Sequence, residues 1–291
     1  MKRRNDAASA PDRYAVIGQP IAHSRSPFIH AEFARQTGQQ VQYEAIAAPL
    51  DGFADAVRAF QAAGGRGMNV TVPFKLEACA LADECAPRAQ VAGAANTLIF
   101  REDGSIFADN TDGAGLVADL RELLPQGLGG RRIALLGAGG AARGVLLPLL
   151  AERPAQLVIA NRTMARAQAL RADFSDAAAE AGVALAVETL EGLSGEFDLL
   201  LNATASGLAG EALPLPWARG LLAGNAAAYD MVYAAHDTPF LADARRHGAA
   251  IVADGLGMLV EQAAESFLLW RGVRPQTDAV RRALRASLQA S

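Results

Sequence analysis

The chain has 291 residues, 51% of them apolar, enough to bury one large core or two ordinary ones. A formal net charge of -4 gives it no general attraction for nucleic acid or anionic membrane, so any anion site must be built locally. The two cysteines, Cys79 and Cys85, cannot make a disulfide framework and match no zinc spacing, and they read as buried, inert thiols in one helix.

The opening segment, Met1 to Arg13, is polar and starts with Lys2-Arg3-Arg4. It lacks an apolar h-region, so it reads as a frayed tail and not as a secretory signal. No apolar run approaches about 20 residues, so a membrane span is not expected and cytoplasmic is the default location. Tyr14 to Ile17 reads as a strand, and Ser26-Pro27 opens a helix to Thr37. Proline suits a first helical turn because that N–H has no intrahelical partner. A strand at Val41 to Ala45 precedes a helix at Leu50 to Ala63, with Phe53, Val57 and Phe60 on one face. Met68 to Thr71 is a third strand, and Pro73 starts another helix. Ala95 to Phe100 turns at Glu102-Asp103-Gly104 into Ile106-Phe107, a hairpin.

A second series begins near Arg131. Ile133 to Leu136 is continuously apolar, the pattern of a strand covered on both faces of a parallel sheet. A helix follows to Glu152, with Pro148 expected to kink it. Strands at Leu157 to Ala160, Leu185 to Val187, Phe197 to Leu201, Ala227 to Tyr229 and Ala249 to Val252 continue the alternation. The pattern then becomes helical, at Met258 to Trp270 and Asp278 to Leu288. The fold class is therefore α/β: an N-terminal α/β domain plus a doubly wound Rossmann-type domain. We place the first domain at 1–111, completed by the helices of 255–291, and the second at 112–254.

The turn Gly137-Ala138-Gly139-Gly140-Ala141-Ala142 matches G-x-G-x-x-A between a strand and a helix. Its glycines permit the tight turn and close approach to pyrophosphate, and the helix N-terminus offers free N–H groups. The plainer alternative is an ordinary βα turn. The next strand ends in Asn161-Arg162-Thr163, with Arg166 one turn on. NAD enzymes tend to carry an acid there, whereas a guanidinium pairs with a 2′-phosphate, so the pattern favours NADP(H). Two arginines at a helix start also work against the macrodipole, which disfavours a merely solvated face.

Lys75 falls in the first turn of a helix, where the macrodipole opposes its charge, a setting that suits a lysine exchanging protons near neutrality. By itself a surface lysine is the commoner reading. Asp112 precedes a helix and is either a cap or a partner that orients Lys75. Ser24 and Ser26 share one loop and could hold a carboxylate, or cap the helix that follows. The histidines at 23, 30, 236 and 247 have no metal-ligand spacing, so no metal is expected, and no G-x-S-x-G elbow is present.

Several of these segments resemble shikimate dehydrogenases: Ile17-Gly-x-Pro-Ile21-Ala-His-Ser24-x-Ser26-Pro27, Asn69-Val-Thr71-Val-Pro-Phe-Lys75, Ala95-Asn96-Thr97 and Asp109-Asn-Thr-Asp112-Gly113. So do Gly137 to Ala141, Asn161-Arg162-Thr163, Tyr229-Asp-Met231-x-Tyr233 and Asp254-Gly255-Leu-Gly-Met258-Leu-Val-x-Gln262, in order across residues 14 to 275. The resemblance implies reversible, NADPH-dependent reduction of 3-dehydroshikimate to shikimate, on the route to chorismate and aromatic amino acids. It implies Lys75 and Asp112 as the catalytic pair. It implies Ser24, Ser26, Asn69, Thr71, Lys75, Asn96, Asp112, Tyr233 and Gln262 around the substrate. It implies Gly137, Ala138, Gly139, Gly140, Ala141, Asn161, Arg162, Thr163, Arg166, Met231 and Gly255 around the cofactor. It also implies C-terminal helices that rejoin the first domain, and two domains that close over a cleft. The chain departs from the family at Pro87, where some members carry an acid, and in its N-terminal extension.

The partner implied is a small molecule, with no nucleic acid and no membrane, for a monomer or homodimer. Two competing readings are a quinate/shikimate dehydrogenase with relaxed substrate use and a non-catalytic NADP-sensing module. The Lys75 and Asp112 segments argue against the sensor, which needs neither.

Overall fold

Strand-forming runs and helical runs alternate along the chain, and the computed structural model gathers them into two sheets. It describes residues 10–290, except for the side chains of 208 and 209. The tail reading of residues 1–9 lies outside the described residues. Asp12 and Arg13, read as tail, instead begin the first strand.

The first sheet uses β1 (Asp12–Gly18), β2 (Val41–Ala47), β3 (Gly65–Val70), β4 (Glu84–Cys85), β5 (Thr97–Phe100) and β6 (Ile106–Asp109). Its order is β2-β1-β3-β5-β6-β4. β2 and β3 run parallel to β1, whereas β5 is antiparallel to both β3 and β6. The helices interleaved with it are α1 (Ser26–Thr37), α2 (Phe53–Ala62), α3 (Lys75–Leu81) and α4 (Pro87–Ala92). As the spacing predicts, Phe53, Val57 and Phe60 turn inward on α2 and join Met68, Val70 and Phe74 in one apolar cluster.

One expectation for this region fails. The helix after Pro73 starts at Lys75 and stops at Leu81, so Cys79 and Cys85 do not share it. Asp83 breaks it: its N–H donates to Ile106 O (2.9 Å), and its carboxylate accepts from Ile106 N (2.8 Å). The chain is thereby drawn into edge strand β4, and both thiols are half-buried instead of buried.

The second sheet uses β7 (Arg132–Leu136), β8 (Gln156–Ala160), β9 (Ala184–Glu188), β10 (Phe197–Asn202), β11 (Leu222–Asp230) and β12 (Ile251–Asp254). All its pairings are parallel, in the order β12-β11-β10-β7-β8-β9. This is the doubly wound order, with its reversal between β7 and β10, where such sheets leave a crevice for a ligand. Ile133 to Leu136 are wholly buried, as the continuous apolar run requires. The helices here are α5 (Asp112–Leu123), α6 (Gly140–Ala151), α7 (Met164–Asp173), α8 (Ser175–Ala181), α9 (Ser206–Ala209) and α10 (Pro239–Arg246). α6 runs through Pro148.

The last helices, α11 (Leu256–Arg271) and α12 (Asp278–Gln289), return to the first half of the chain. Val260, Phe267, Val280 and Leu284 pack with Ile29 and Phe33 of α1. α11 also lies along α5, where Met258 enters the core of the second sheet. Buried Asp119 of α5 accepts from Tyr229 Oη (2.6 Å) and pairs with Arg281 of α12 (3.1 Å).

His30 of α1 lies at the centre of an aromatic stack, fully buried and parallel to the Tyr43 ring at 4.2 Å. Neither ring nitrogen has a hydrogen-bond partner among the described residues. Burial pushes its pKa down to about 3. An unfolded chain would protonate this ring near pH 6.5, whereas the folded chain resists until about 3. Below about pH 6.5 the unfolded state therefore binds the extra proton, and stability falls as pH falls through that window. We expect His30→Phe to remove roughly 1–3 kcal/mol of the stability difference between about pH 7 and about pH 4.5. Urea unfolding of both proteins at the two pH values measures this, and equal acid loss in both would contradict it.

Candidate active site

A cavity of about 470 Å³ opens at the carboxyl ends of β1, β3, β11 and β12. Parallel strands all deliver their loops to that end, which is why segments far apart in sequence meet there. Ser24 and Ser26 arrive after β1, Asn69, Thr71 and Lys75 at and after β3, and Asn96 just before β5. Asp112 is the first residue of α5, Tyr233 follows β11, and Gln262 projects from α11. The structure thus brings together all nine residues expected around a substrate.

Lys75 Nζ lies 2.6 Å from Asp112 Oδ2. The other carboxylate oxygen accepts from Asn96 Nδ2 at 2.7 Å. Helix α5 has Thr111 at its cap and no side-chain cap hydrogen bond, so the carboxylate of Asp112 serves the pair and not the helix end. Asn96 also donates to Thr111 Oγ1 (2.9 Å) and Gln262 Oε1 (3.3 Å), and its oxygen accepts from Thr111 N (2.8 Å). Gln262 is held by its own donation to Leu259 O (2.8 Å). Half-buried Arg88 grips buried Asp109 with two hydrogen bonds of 2.6 and 2.7 Å, fixing the turn that leads to Asp112.

Asn69 sits deeper than expected. Its oxygen accepts from Tyr43 Oη (2.7 Å), and its nitrogen donates to Asn96 O, Thr97 Oγ1 and Ser266 Oγ. These partners take up the amide, which ties β3 to β5 and α11. Ser24 Oγ accepts from Ser26 N at 3.3 Å, but α1 is capped by Arg25 without a side-chain hydrogen bond. Both serines line the cavity, and Ser24 Oγ also meets the first N–H of α1. Burial pushes the Tyr233 phenol above its ordinary range, so it stays protonated and able to donate.

Arg25 lines the same cavity, and the sequence reading passed over it as the spacer between two serines. It makes no ion pair among the described residues, and its charge lies close enough to Tyr233 to oppose the effect of burial on that phenol. Its place on a loop already assigned to the site was the available signal.

The expected cofactor residues form two groups. Met231 and Gly255 line the cavity itself. A Cβ on Gly255 would stand 2.2 Å from Met231 O, so the two strand ends meet there only because one residue lacks a side chain. Gly137 to Ala141 and Asn161 to Arg166 lie beyond the cavity lining, at the carboxyl ends of β7 and β8. Gly137 has φ 110°, a backbone state that disfavours other residues. Cβ atoms on Gly139 and Gly140 would meet nothing within 4 Å, so the turn opens outward beneath the unpaired first N–H groups of α6. That space and those donors fit a pyrophosphate. Arg162, Thr163 and Arg166 are exposed, and neither arginine has an ion-pair partner among the described residues. Two unpaired cations beside an open helix N-terminus fit a further phosphate. Among the described residues no group of three or more metal-ligating side chains clusters, and no helix is long and apolar enough to cross a membrane.

Known proteins resemble this chain over nearly its whole length. Residues 16–98 match a shikimate dehydrogenase substrate binding domain, 120–209 a shikimate/quinate 5-dehydrogenase domain, and 255–285 a shikimate 5′-dehydrogenase C-terminal domain. A shikimate dehydrogenase (NADP(+)) of Aromatoleum aromaticum is 66% identical over 278 residues, covering 95% of this chain and 98% of that one. One from Cupriavidus necator is 54% identical, covering 100% and 99%. The solved structure of the Thermus thermophilus shikimate 5-dehydrogenase in complex with NADP(H) and shikimate superposes with a TM-score of 0.83 at 35% identity, covering 95% of this chain and 100% of that one.

Asn96 makes a structural prediction independent of any ligand. Asn96→Ala leaves Asp112 Oδ1, Thr111 N and Gln262 Oε1 without this partner. Since each buried polar group left unpaired costs about 1–3 kcal/mol, we expect a loss of at least about 2 kcal/mol in urea unfolding. A loss under about 0.5 kcal/mol would mean that the network does not hold the cleft together.

Proposed function

The chain belongs to the shikimate dehydrogenase family, and from that premise we propose that the cleft reduces 3-dehydroshikimate with NADPH, reversibly, through Lys75 and Asp112. The chain is an NADP-dependent oxidoreductase acting on a CH–OH group, a shikimate pathway step towards aromatic amino acids. The observation that carries the residue assignment is the 2.6 Å Lys75–Asp112 contact, set in the same cavity as Met231 and Gly255.

Reduction of the ring ketone needs a hydride at carbon and a proton at oxygen. NADPH, when bound, supplies the hydride. Lys75 Nζ gives the proton to the ketone oxygen and takes it back in the reverse direction. Asp112, fixed by Asn96, holds the ammonium in place and accepts from a ring hydroxyl. Ser24, Ser26 and Arg25 receive the substrate carboxylate, with Tyr233 and Gln262 along the ring. Asn69, its amide taken up within the protein, shapes the wall with Thr71. The turn at Gly137 to Ala141 would hold the pyrophosphate of the cofactor. Arg162 and Arg166 would hold its 2′-phosphate, and Met231 and Gly255 would meet it in the cavity.

The functional units in this reading are 1–111 with 255–291, and 112–254, closing over the cleft to exclude water. The reading carries with it a cytoplasmic enzyme that works as a monomer or homodimer, without nucleic acid or membrane.

Consumption of NADPH with 3-dehydroshikimate is the direct test, with quinate and NADP as the control for relaxed substrate use. No turnover would overturn the reading, and faster quinate oxidation would replace its substrate. Lys75→Ala should lower kcat by roughly 10²-fold or more while leaving NADPH binding unchanged. A variant keeping more than about a tenth of the rate would remove Lys75 from proton transfer.

Cofactor choice supplies a separate test. Arg162→Ala should raise KM for NADP about ten- to a hundredfold and leave KM for NAD within a few-fold, since a charge-assisted pair is worth roughly 1.5–3 kcal/mol. Equal losses for both cofactors would assign Arg162 to the fold or the adenine instead.

A further inference from the structure

Helix α3 begins at Lys75 and carries Cys79 in its second turn. The chain then bends at Ala82 and Asp83 and delivers Cys85 into edge strand β4. That bend sets the two sulfurs 3.3 Å apart, although no bond joins them. Cys85 Sγ also lies 3.5 Å from Cys79 O, and Cys79 Sγ 3.7 Å from Ala89 O. Both residues are half-buried at the rim of the first apolar cluster, packed on one side and open to reagents on the other. They are the only cysteines in the chain. A pair of inert core thiols has no need of such an arrangement.

We propose that Cys79 and Cys85 form a modification site, a dithiol that low-molecular-weight disulfides oxidise to an intramolecular disulfide. The Cys79 thiolate attacks one sulfur of the added disulfide, whose S–S bond breaks and releases one small thiolate. Cys85 then loses its proton to solvent and attacks Cys79 Sγ. The mixed disulfide breaks, the second small thiolate leaves, and the Cys79–Cys85 bond forms. The protein gives up two electrons and two protons, and the reagent leaves as two thiols.

The sulfurs must approach by about 1.3 Å to reach bonding distance, a movement on the scale of side-chain rotation. Burial, and then the neighbouring Cys79 thiol, push the Cys85 thiol up to about 11. Cys85 is thus the poorer first nucleophile, and capping Cys79 removes part of what keeps it protonated. The completed bond ties the end of the helix that starts at Lys75 to the edge of the first sheet.

The test incubates the full-length chain with glutathione disulfide at about pH 8, near the ordinary thiol range. Free thiols, intact mass and peptide linkage are then read. The expected result is loss of both thiols, a mass lower by two hydrogens, no retained glutathione, and a peptide joining Cys79 to Cys85. Cys85→Ser should keep one glutathione on Cys79, because nothing remains to displace it. Cys79→Ser should react at least about tenfold more slowly, its thiol being the one held protonated. A wild-type chain that retains glutathione, or that keeps both thiols free while Cys85→Ser reacts, would overturn the proposal. So would failure of all three proteins to react.

Discussion

The carboxamide of Asn96 holds the floor of the cleft, and the functional geometry depends on it. Its nitrogen reaches Asp112, Thr111 and Gln262, and its oxygen accepts from Thr111 N and Thr97 Oγ1. A carboxamide has two donor hydrogens and two acceptor lone pairs, so this one is fully engaged. Asp112 is therefore gripped from both sides, by Asn96 at one oxygen and Lys75 at the other. An aspartate held in this way has little rotational freedom, and it passes that restriction to a lysine on a different helix. Preorganisation of this kind lets a flexible ammonium act at a defined point.

α11 extends the same constraint across the molecule. Gln262 and Ser266 bring it to Asn96 and Asn69, and Glu265 meets Arg88, whose other partner is Asp109. Near its C-terminus, Trp270 Nε1 donates to Leu98 O (3.0 Å). Its N-terminus starts beside Gly255, in backbone contact with Met231. One helix therefore touches both the polar floor around Asn96 and the strand end at Met231. Arg285 of α12 reinforces that junction by pairing with Asp254 and donating to Ala234 O. A shift in α11 must be felt on both sides of the cleft.

At the carboxyl ends of β7 and β8, register does the comparable work. Leu136 pairs with Ala160, so the Gly137 turn and Asn161 leave adjacent strands side by side. A ligand whose pyrophosphate lies over the first loop thus has its ribose close to the second. In the proposed reading, the absence of an acid at the second loop and the two unpaired arginines after it would bear on the same few atoms of NADP(H).

The sequence by itself determined the alternation of strands and helices, the glycine turn, the arginines that favour NADP(H), and the segments that resemble the family. These are local signals: apolar period, turn chemistry and charge at a helix start all act within a few residues of one another. It placed α1 at Ser26–Thr37 without error, because a proline start and a glycine stop bracket the helix. It missed β4, where two hydrogen bonds exchanged between Asp83 and Ile106 override helical spacing, and so misread both thiols. It left Lys75 as an ordinary surface lysine or a functional one, and Asp112 as a cap or a partner. Only the tertiary structure decided that these two meet, that Asn96 fixes the meeting, and that Asn69 faces inward. The reason is that a hydrogen bond between residues 37 positions apart is set by where two sheets and a returning helix place their ends, and no local pattern encodes that distance.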